Sequence, residues 1–233
     1  MKLLFSIGIL SVGVSVVPLA AHPLDNWYLR YGVANDTNFM HLVIYGGGVY
    51  VATDSHGTIF SSEDAQNWVP RVTGIPWPGL FGAAYGNHMF VLSGSQGLIY
   101  SSSDGTNWAQ RASGTTLPLD SAAFGNGLFL ANAGSNVLTS PDGTNWAPQT
   151  LPGVADSSTA AYGNGLFLLG SLFRGTNYLS TRTNYLSTDG TNWFPRSSGT
   201  TNNLYTRGYG NGMFIEIDQG HQVLTSTDGS NWV

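Results

Sequence analysis

The chain has 233 residues, of which only 9% are charged; eight Lys and Arg stand against thirteen Asp and Glu, and there is no cysteine. An average globular chain carries roughly 25% charged residues, so this surface must be covered by Ser, Thr, Asn and Gly, with no basic patch to neutralise phosphates. That excludes nucleic-acid binding, and the fold must hold without disulfides, as a core of about 200 residues can.

Lys2 opens a stretch that is apolar from Leu3 to Ala20 and ends in the small residues Ala20-Ala21. This is the layout of a secretory signal peptide over 1–21, with cleavage before His22. The competing reading is an uncleaved membrane anchor. The stretch is interrupted by Ser6, Gly8, Ser11, Gly13 and Ser15, and falls short of the roughly 20 apolar residues that a span needs. Nothing downstream is long enough to cross a bilayer. The mature chain, 22–233, is therefore expected to be secreted, periplasmic or held at the cell surface, with no membrane span.

From here the chain repeats itself. Asn26-Trp27-Tyr28-Leu29-Arg30 is followed by five copies of a unit: aromatic-Gly-Asn/Gly, an apolar run, then Ser-x-Asp-Gly-x-Asn-Trp. The clearest copies run from Tyr85-Gly86-Asn87 to Ser102-Ser103-Asp104-Gly105-Thr106-Asn107-Trp108, and from Phe124-Gly125-Asn126 to Ser140-Pro141-Asp142-Gly143-Thr144-Asn145-Trp146. Trp68, Trp108, Trp146, Trp193 and Trp232 mark a period of about 40 residues, the signature of a repeat architecture. In the second copy, Gly82–Tyr85, His88–Ser93, Gly97–Ser102 and Trp108–Arg111 read as four short strands. They are separated by Gly-Asn and Asp-Gly pairs that tolerate the positive φ of hairpin turns. No helical period of useful length appears. The predicted fold is an all-β β-propeller of four-stranded blades, with a right-handed β-helix as runner-up.

Copy four is longer because Thr176-Asn177-Tyr178-Leu179-Ser180-Thr181 recurs as Thr183-Asn184-Tyr185-Leu186-Ser187-Thr188, a tandem duplication that a surface loop tolerates at little entropic cost. Copy five stops at Trp232-Val233. The segment Asn26–Arg30 matches the fourth-strand pattern and could complete the last blade, closing a ring of five. The other reading is a piece of a larger propeller, since Trp27 and Trp232 would contend for one pocket.

The repeated segment has a mechanical role. Asp64, Asp104, Asp142, Asp189 and Asp228 can accept backbone N–H bonds within their own turns, Ser62, Ser102, Ser140, Ser187 and Ser226 can join that network, and the Trp can pack between blades. These segments resemble the Asp-box of bacterial neuraminidase repeats, found in sialidases, sortilin-type receptors and photosystem-assembly propellers. In that family one residue separates Asp from Gly, whereas here Gly follows Asp directly in four copies and copy one, with Asp64-Ala65, lacks it. The resemblance implies a propeller fold in which the box is a structural turn away from the active face.

Function is expected on the opposite face, built from connections that differ between copies. These supply Asp54, His56, Trp77, Asp120, Asp156, Arg174, Asp218 and His221. Glu216 and Asp218, at i and i+2 of a strand, share one face; they are either solvated loop-edge acids or, with Asp54, carboxylates for glycoside hydrolysis. Asp54-x-His56 and Asp218-x-x-His221 lack the spacing of a metal site, and no cofactor motif occurs. Trp77, His56, Arg174 and His221 are the ligand-binding candidates, Trp77 as a platform for a sugar ring. A sialidase would need an arginine triad. Arg30, Arg71, Arg111 and Arg196 each follow a repeat Trp by three residues and read as structural, and the Phe-Arg-Ile-Pro signature is absent. The expected function is non-catalytic recognition or scaffolding, with a glycan or protein ligand on the variable face. The alternative is a secreted glycoside hydrolase.

Overall fold

The computed structural model describes residues 40–76, 79–151, 157–171 and 182–233. The leader, the Asn26–Arg30 segment, the first unit of the duplication (176–181), Trp77, Asp156 and Arg174 lie outside them. Blade I comprises β1 (Met40–Gly46), β2 (Val49–Asp54), β3 (Ile59–Ser62) and β4 (Val69–Val72). Blade II comprises β5 (Leu80–Gly86), β6 (Met89–Gly94), β7 (Ile99–Ser102) and β8 (Ala109–Arg111), with a short 3-10 turn over Ser95–Gly97. Blade III holds β9 (Ser121–Gly125), β10 (Leu128–Ala133), β11 (Asn136–Ser140) and β12 (Ala147–Thr150). Blade IV holds β13 (Ser157–Gly163), β14 (Leu166–Ser171), β15 (Thr183–Ser187) and β16 (Phe194–Ser197), so the second unit of the duplication supplies β15. Blade V holds β17 (Leu204–Gly210), β18 (Met213–Asp218) and β19 (Val223–Ser226).

Each sheet is an antiparallel meander in chain order. The first strands stand side by side, β1 with β5, β5 with β9, β9 with β13 and β13 with β17. This is the all-β arrangement of a β-propeller. The sequence-based strands differ from these only at their ends. His88, for example, belongs to the turn, at φ 56°.

One tripeptide organises the inner half of every blade. Asn126-Gly127, Asn164-Gly165 and Asn211-Gly212 have φ of 47/73°, 49/77° and 49/79°, the left-handed pair that a two-residue hairpin turn requires. The turn sets the register, pairing Phe124 with Phe129, Tyr162 with Phe167 and Tyr209 with Phe214. The preceding glycine seats the aromatic ring of the next blade. A Cβ on Gly46 would collide with Tyr85, on Gly86 with Phe124, on Gly125 with Tyr162 and on Gly163 with Tyr209. The asparagine then latches the blades together. Asn126 Nδ2 donates to Thr188 O (2.8 Å) and its Oδ1 accepts the Tyr162 hydroxyl (2.6 Å); Asn164 does the same with Thr227 O (2.8 Å) and Tyr209 (2.5 Å).

The core consequently lies between blades. Four apolar clusters fill the four junctions, each centred on a phenylalanine of the second strand: Phe90, Phe129, Phe167 and Phe214, all fully buried.

The box is the turn lock that its sequence suggests. In blade III, Asp142 Oδ1 accepts the N–H groups of Thr144 (2.8 Å) and Asn145 (2.9 Å) and the Ser140 hydroxyl, while Oδ2 accepts Asn145 Nδ2. The same pattern holds at Asp64, Asp104, Asp189 and Asp228. Because the latch asparagines reach box carbonyls, hairpin turns and boxes share one face of the propeller, and the variable connections form the other.

The five blades do not close a ring among the described residues. β17 and β1 are not neighbours, and blade V has three strands. Trp232 Nε1 donates to Gly229 O (3.1 Å), and Val233 exchanges both backbone bonds with Thr225 (2.8 and 3.0 Å).

Two measurements test this account. Gly125→Leu should destabilise the fold by about 1–3 kcal/mol through overpacking, while Gly210→Ala, whose Cβ meets nothing within 4 Å, should leave the melting temperature nearly unchanged. The N–H of the box asparagine, then the other turn donors, hold all five box carboxyls far below the ordinary 3.8. The folded state thus binds these protons more weakly than the unfolded chain, so their stabilisation is complete above about pH 4 and falls away as the pH drops below it. Asp142→Asn should lower the melting temperature at neutral pH and flatten its decline in acid.

Candidate functional site

At the junction of blades IV and V the repeat breaks its own apolar rule. Where blades II to IV carry Ala83, Ala122 and Ala160, blade V carries Arg207; where they carry Leu92, Ala131 and Leu169, it carries Glu216. On the facing side, Asn184 replaces the Ile59, Ile99 and Val137 of blades I to III. The Asn211-Gly212 turn places Arg207 directly opposite Glu216 on the paired strands. Arg207 Nε donates to Glu216 Oε1 at 2.7 Å, and both side chains are wholly buried. Arg207 Nη1 donates to Thr159 O and Oγ1 (2.9 Å each) and Nη2 to Asn184 Oδ1 (3.3 Å), while Asn184 Nδ2 donates to Glu216 Oε2 (3.2 Å). Gly170 makes room for the guanidinium, which a Cβ there would strike. Burial pulls the Arg207 pKa below its usual value, and the charge of Glu216 opposes the shift.

Glu216 is thus neither a solvated edge acid nor a carboxylate open to substrate, since both oxygens are committed inside the junction. Asp218 is likewise not solvated, being 1% exposed. It and Asp54 occupy the same place, the last residue of the second strand, and each ties down the following turn. Asp54 Oδ1 accepts the N–H of His56 (2.9 Å) and Thr58 (2.8 Å). Asp218 Oδ1 accepts the N–H of Gln222 (2.9 Å), and Oδ2 accepts Asn202 Nδ2 (2.9 Å) and Thr200 Oγ1 (3.0 Å). Burial raises the Asp218 pKa, but these bonds together outweigh it and hold the group below the ordinary range. The two carboxylates stand in different blades, I and V, and each is engaged in its own turn.

His56 and His221 are exposed on the outside of those turns. His56 Nδ1 lies 3.3 Å from Ser55 Oγ, and the His221 N–H donates to Asp218 O (3.0 Å) with φ at 61°. Among the described residues no group of three His, Cys, Asp or Glu could hold a metal ion, and no helix is long and apolar enough to cross a membrane. Two arginines read as structural behave so: Arg71 and Arg111 donate from Nε to Ser61 and Ser101.

The described residues form several concavities. One, of about 360 Å³, lies on the box face between blades I and II and is lined by Glu63, Asp64, Asn67, Arg71 and Thr106. A groove of about 620 Å³ on the variable face of blade II runs between Gln96–Leu98 and Gln110–Thr116. An axial cleft of about 240 Å³ is lined by Ala84, Ala123, Ala161 and Gly208. The groove and the axial cleft offer hydrogen bonds and small residues, with one arginine each, Arg111 and Arg207.

No protein-family model and no curated relative matches the sequence. Solved structures do resemble the fold. YCF48 bound to D1 peptide superposes with a TM-score of 0.63 at 16% identity, over 85% of this chain and 67% of that one. A streptogramin B lyase gives 0.69 at 12%, over 83% and 67%. The GH74 enzyme of Niastella koreensis gives 0.61 at 18%, over 84% of this chain but 30% of its own. These likenesses establish a β-propeller and nothing about activity, since one scaffold carries many functions.

The junction makes a sharp prediction. Removing one partner of a buried ion pair costs about 3–5 kcal/mol, whereas replacing the whole group with apolar residues can be neutral. Arg207→Ala or Glu216→Gln alone should therefore lower the unfolding free energy strongly. The triple variant Arg207→Ala, Glu216→Leu, Asn184→Ile, which installs blade II residues, should recover most of the loss.

Proposed function

We propose that this chain is an exported, non-catalytic recognition or scaffold module of the Asp-box propeller type, which holds a protein or glycan ligand on its variable face. The supporting observation is the state of its candidate carboxylates. Asp54, Glu216 and Asp218 are buried; Asp54 Oδ1 accepts turn N–H groups, Asp218 accepts a turn N–H and the Asn202 and Thr200 side chains, and Glu216 lies in the Arg207 network. A general acid or a nucleophile needs a carboxyl that reaches substrate, and these reach their own turns.

The exposed variable face suits a ligand recognised by hydrogen bonds and shape. Its blade II groove presents Gln96, Gln110, Thr115 and Thr116, a lining fit for a sugar chain or an extended polypeptide. The peptide-bound YCF48 structure has the same fold, which favours a protein segment. Export rests on the leader-like residues 1–21. The Asp-box assignment rests on the five Ser-x-Asp turns.

A hydrolysis screen over polysaccharides and sialosides, run beside glycan-array and peptide-array binding, tests the proposal. Binding without turnover is expected, and it should weaken when Gln96 and Gln110 are replaced by Ala. Turnover that disappears in a folded Glu216→Gln or Asp218→Asn protein would instead identify a glycoside hydrolase.

A further inference from the structure

We infer that a partner docks on the outer strand of blade II, where an extended polypeptide bearing an acidic side chain adds a fifth strand beyond β8. This docking rests on the reading of the blade II groove as the ligand site proposed above.

Four outer strands are described, and their registers coincide. Pro70 stands opposite Phe60, Gln110 opposite Tyr100, Pro148 opposite Leu138 and Pro195 opposite Tyr185. All four residues are exposed, and each strand lies at one end of its sheet. In an antiparallel pair a residue turns its N–H and C=O together, either into the ladder or away from it. An edge strand tolerates proline where the missing N–H would have pointed outward, so three prolines at one register mark that register as the outward one. They also close those edges, since an added strand would find no donor and would meet the ring. Blade II departs from this rule. Gln110 keeps its N–H and presents both a donor and an acceptor on the outer side of β8.

The ground beside this edge is shaped for a chain. The groove between Gln96–Leu98 and Gln110–Thr116 measures about 620 Å³ and has Gln110 in its wall. Across it, Gln96 is exposed and held at φ 53°, a left-handed conformation that glycine adopts without strain and glutamine does not. An amide kept there is placed to bond an incoming strand. Arg111 is the charged residue of the lining. Its Nε donates to Ser101 Oγ (2.8 Å), and among the described residues no carboxylate forms an ion pair with it. A carboxylate on the docked segment would complement that charge. The edge selects a polypeptide over a sugar chain, because main-chain N–H and C=O groups pair with the matching groups of another strand while the side chains set specificity.

Panning a phage-displayed library of random dodecapeptides on the full-length protein, then synthesising the selected peptides, supplies the probe. These peptides should carry Asp or Glu. Their binding should slow hydrogen exchange at the Gln110 N–H, which exchanges freely in the unbound protein. Gln110→Pro copies the sister strands, so it should melt as the parent does while binding the peptides at least about tenfold more weakly. Gln110→Ala keeps the N–H and should lose much less. If Gln110→Pro does not fold, exchange at Gln110 in the parent decides alone. Docking on β8 is overturned if that N–H is already protected in the unbound protein, or if peptides bind without protecting it. It is equally overturned if a folded Gln110→Pro binds them as the parent does, or if they carry no acidic residue. Peptides that bind elsewhere, or a glycan bound where no peptide is selected, would refute this docking and leave the recognition reading standing. Binding of neither would end both.

Discussion

The contact on which this molecule depends is an aromatic ring of one blade lying on a glycine of the blade before it. Gly46, Gly86, Gly125 and Gly163 each accept the ring of the following blade, and the approach is so close that any side chain would collide. The ring in turn packs against the second-strand aromatic of its own hairpin, as Phe124 does with Phe129 at 4.6 Å between centroids. Everything else in the junction follows from that placement. The asparagine after the glycine is brought within reach of the next blade's box, and the second-strand phenylalanine is sealed in the space between sheets. Burying one large apolar side chain is worth about 1.5–3 kcal/mol, so four such junctions, and no single central core, carry the fold. Stability of this kind adds up from neighbour to neighbour, as in other repeat proteins.

A chain with so few charges must find its polar order elsewhere, and it does so in turns. The box aspartates, Asp54 and Asp218 all use carboxylate oxygens to gather the N–H groups of a tight bend. The result is a succession of blades with one face spent on architecture. The hairpin turns and boxes on that face bond across every latched junction, through Asn87, Asn126 and Asn164. The connections between second and third strands, and between one blade and the next, are free of that duty, which is why ligand recognition belongs there.

The repeat made the blades, their turn chemistry and the split between the two faces readable from residues alone, because Asn-Gly and Ser-x-Asp signals are local. What local signals conceal is which side of a strand a blade neighbour covers. Glu216 reads as an edge acid along the chain because linear order does not display its partner across the hairpin. Counting outward from Asn211-Gly212 brings it opposite Arg207, so that pair was legible in principle. Asn184 was not, since it meets them only through the packing of two blades. Asp54 and Asp218 are buried for a related reason: at strand ends, exposure is decided by whether the following turn folds back over the carboxylate, and here it does. Trp77 and Arg174, singled out in the sequence, fall outside the described residues.

The charged junction raises a question that the apolar ones do not. Leucine and alanine serve the same positions between blades I to IV, so a buried Arg207–Glu216 pair is not required for adhesion and gains little over hydrocarbon. It does discriminate. Blades this similar could dock in the wrong order during folding, a characteristic failure of repeat chains. Blade V placed against blade II would set Arg207 and Glu216 against Ile99, with no Asn184 amide to accept and donate. Against blade III they would face Val137 in the same way. Blade IV alone supplies Asn184, Thr159 and the space over Gly170. Elsewhere Arg207 and Glu216 would be buried with hydrogen-bonding groups unmatched, a larger penalty than any apolar mismatch among the other blades. A polar junction of this kind would disfavour other orders of the last two blades, which interchangeable Leu and Ala contacts would not.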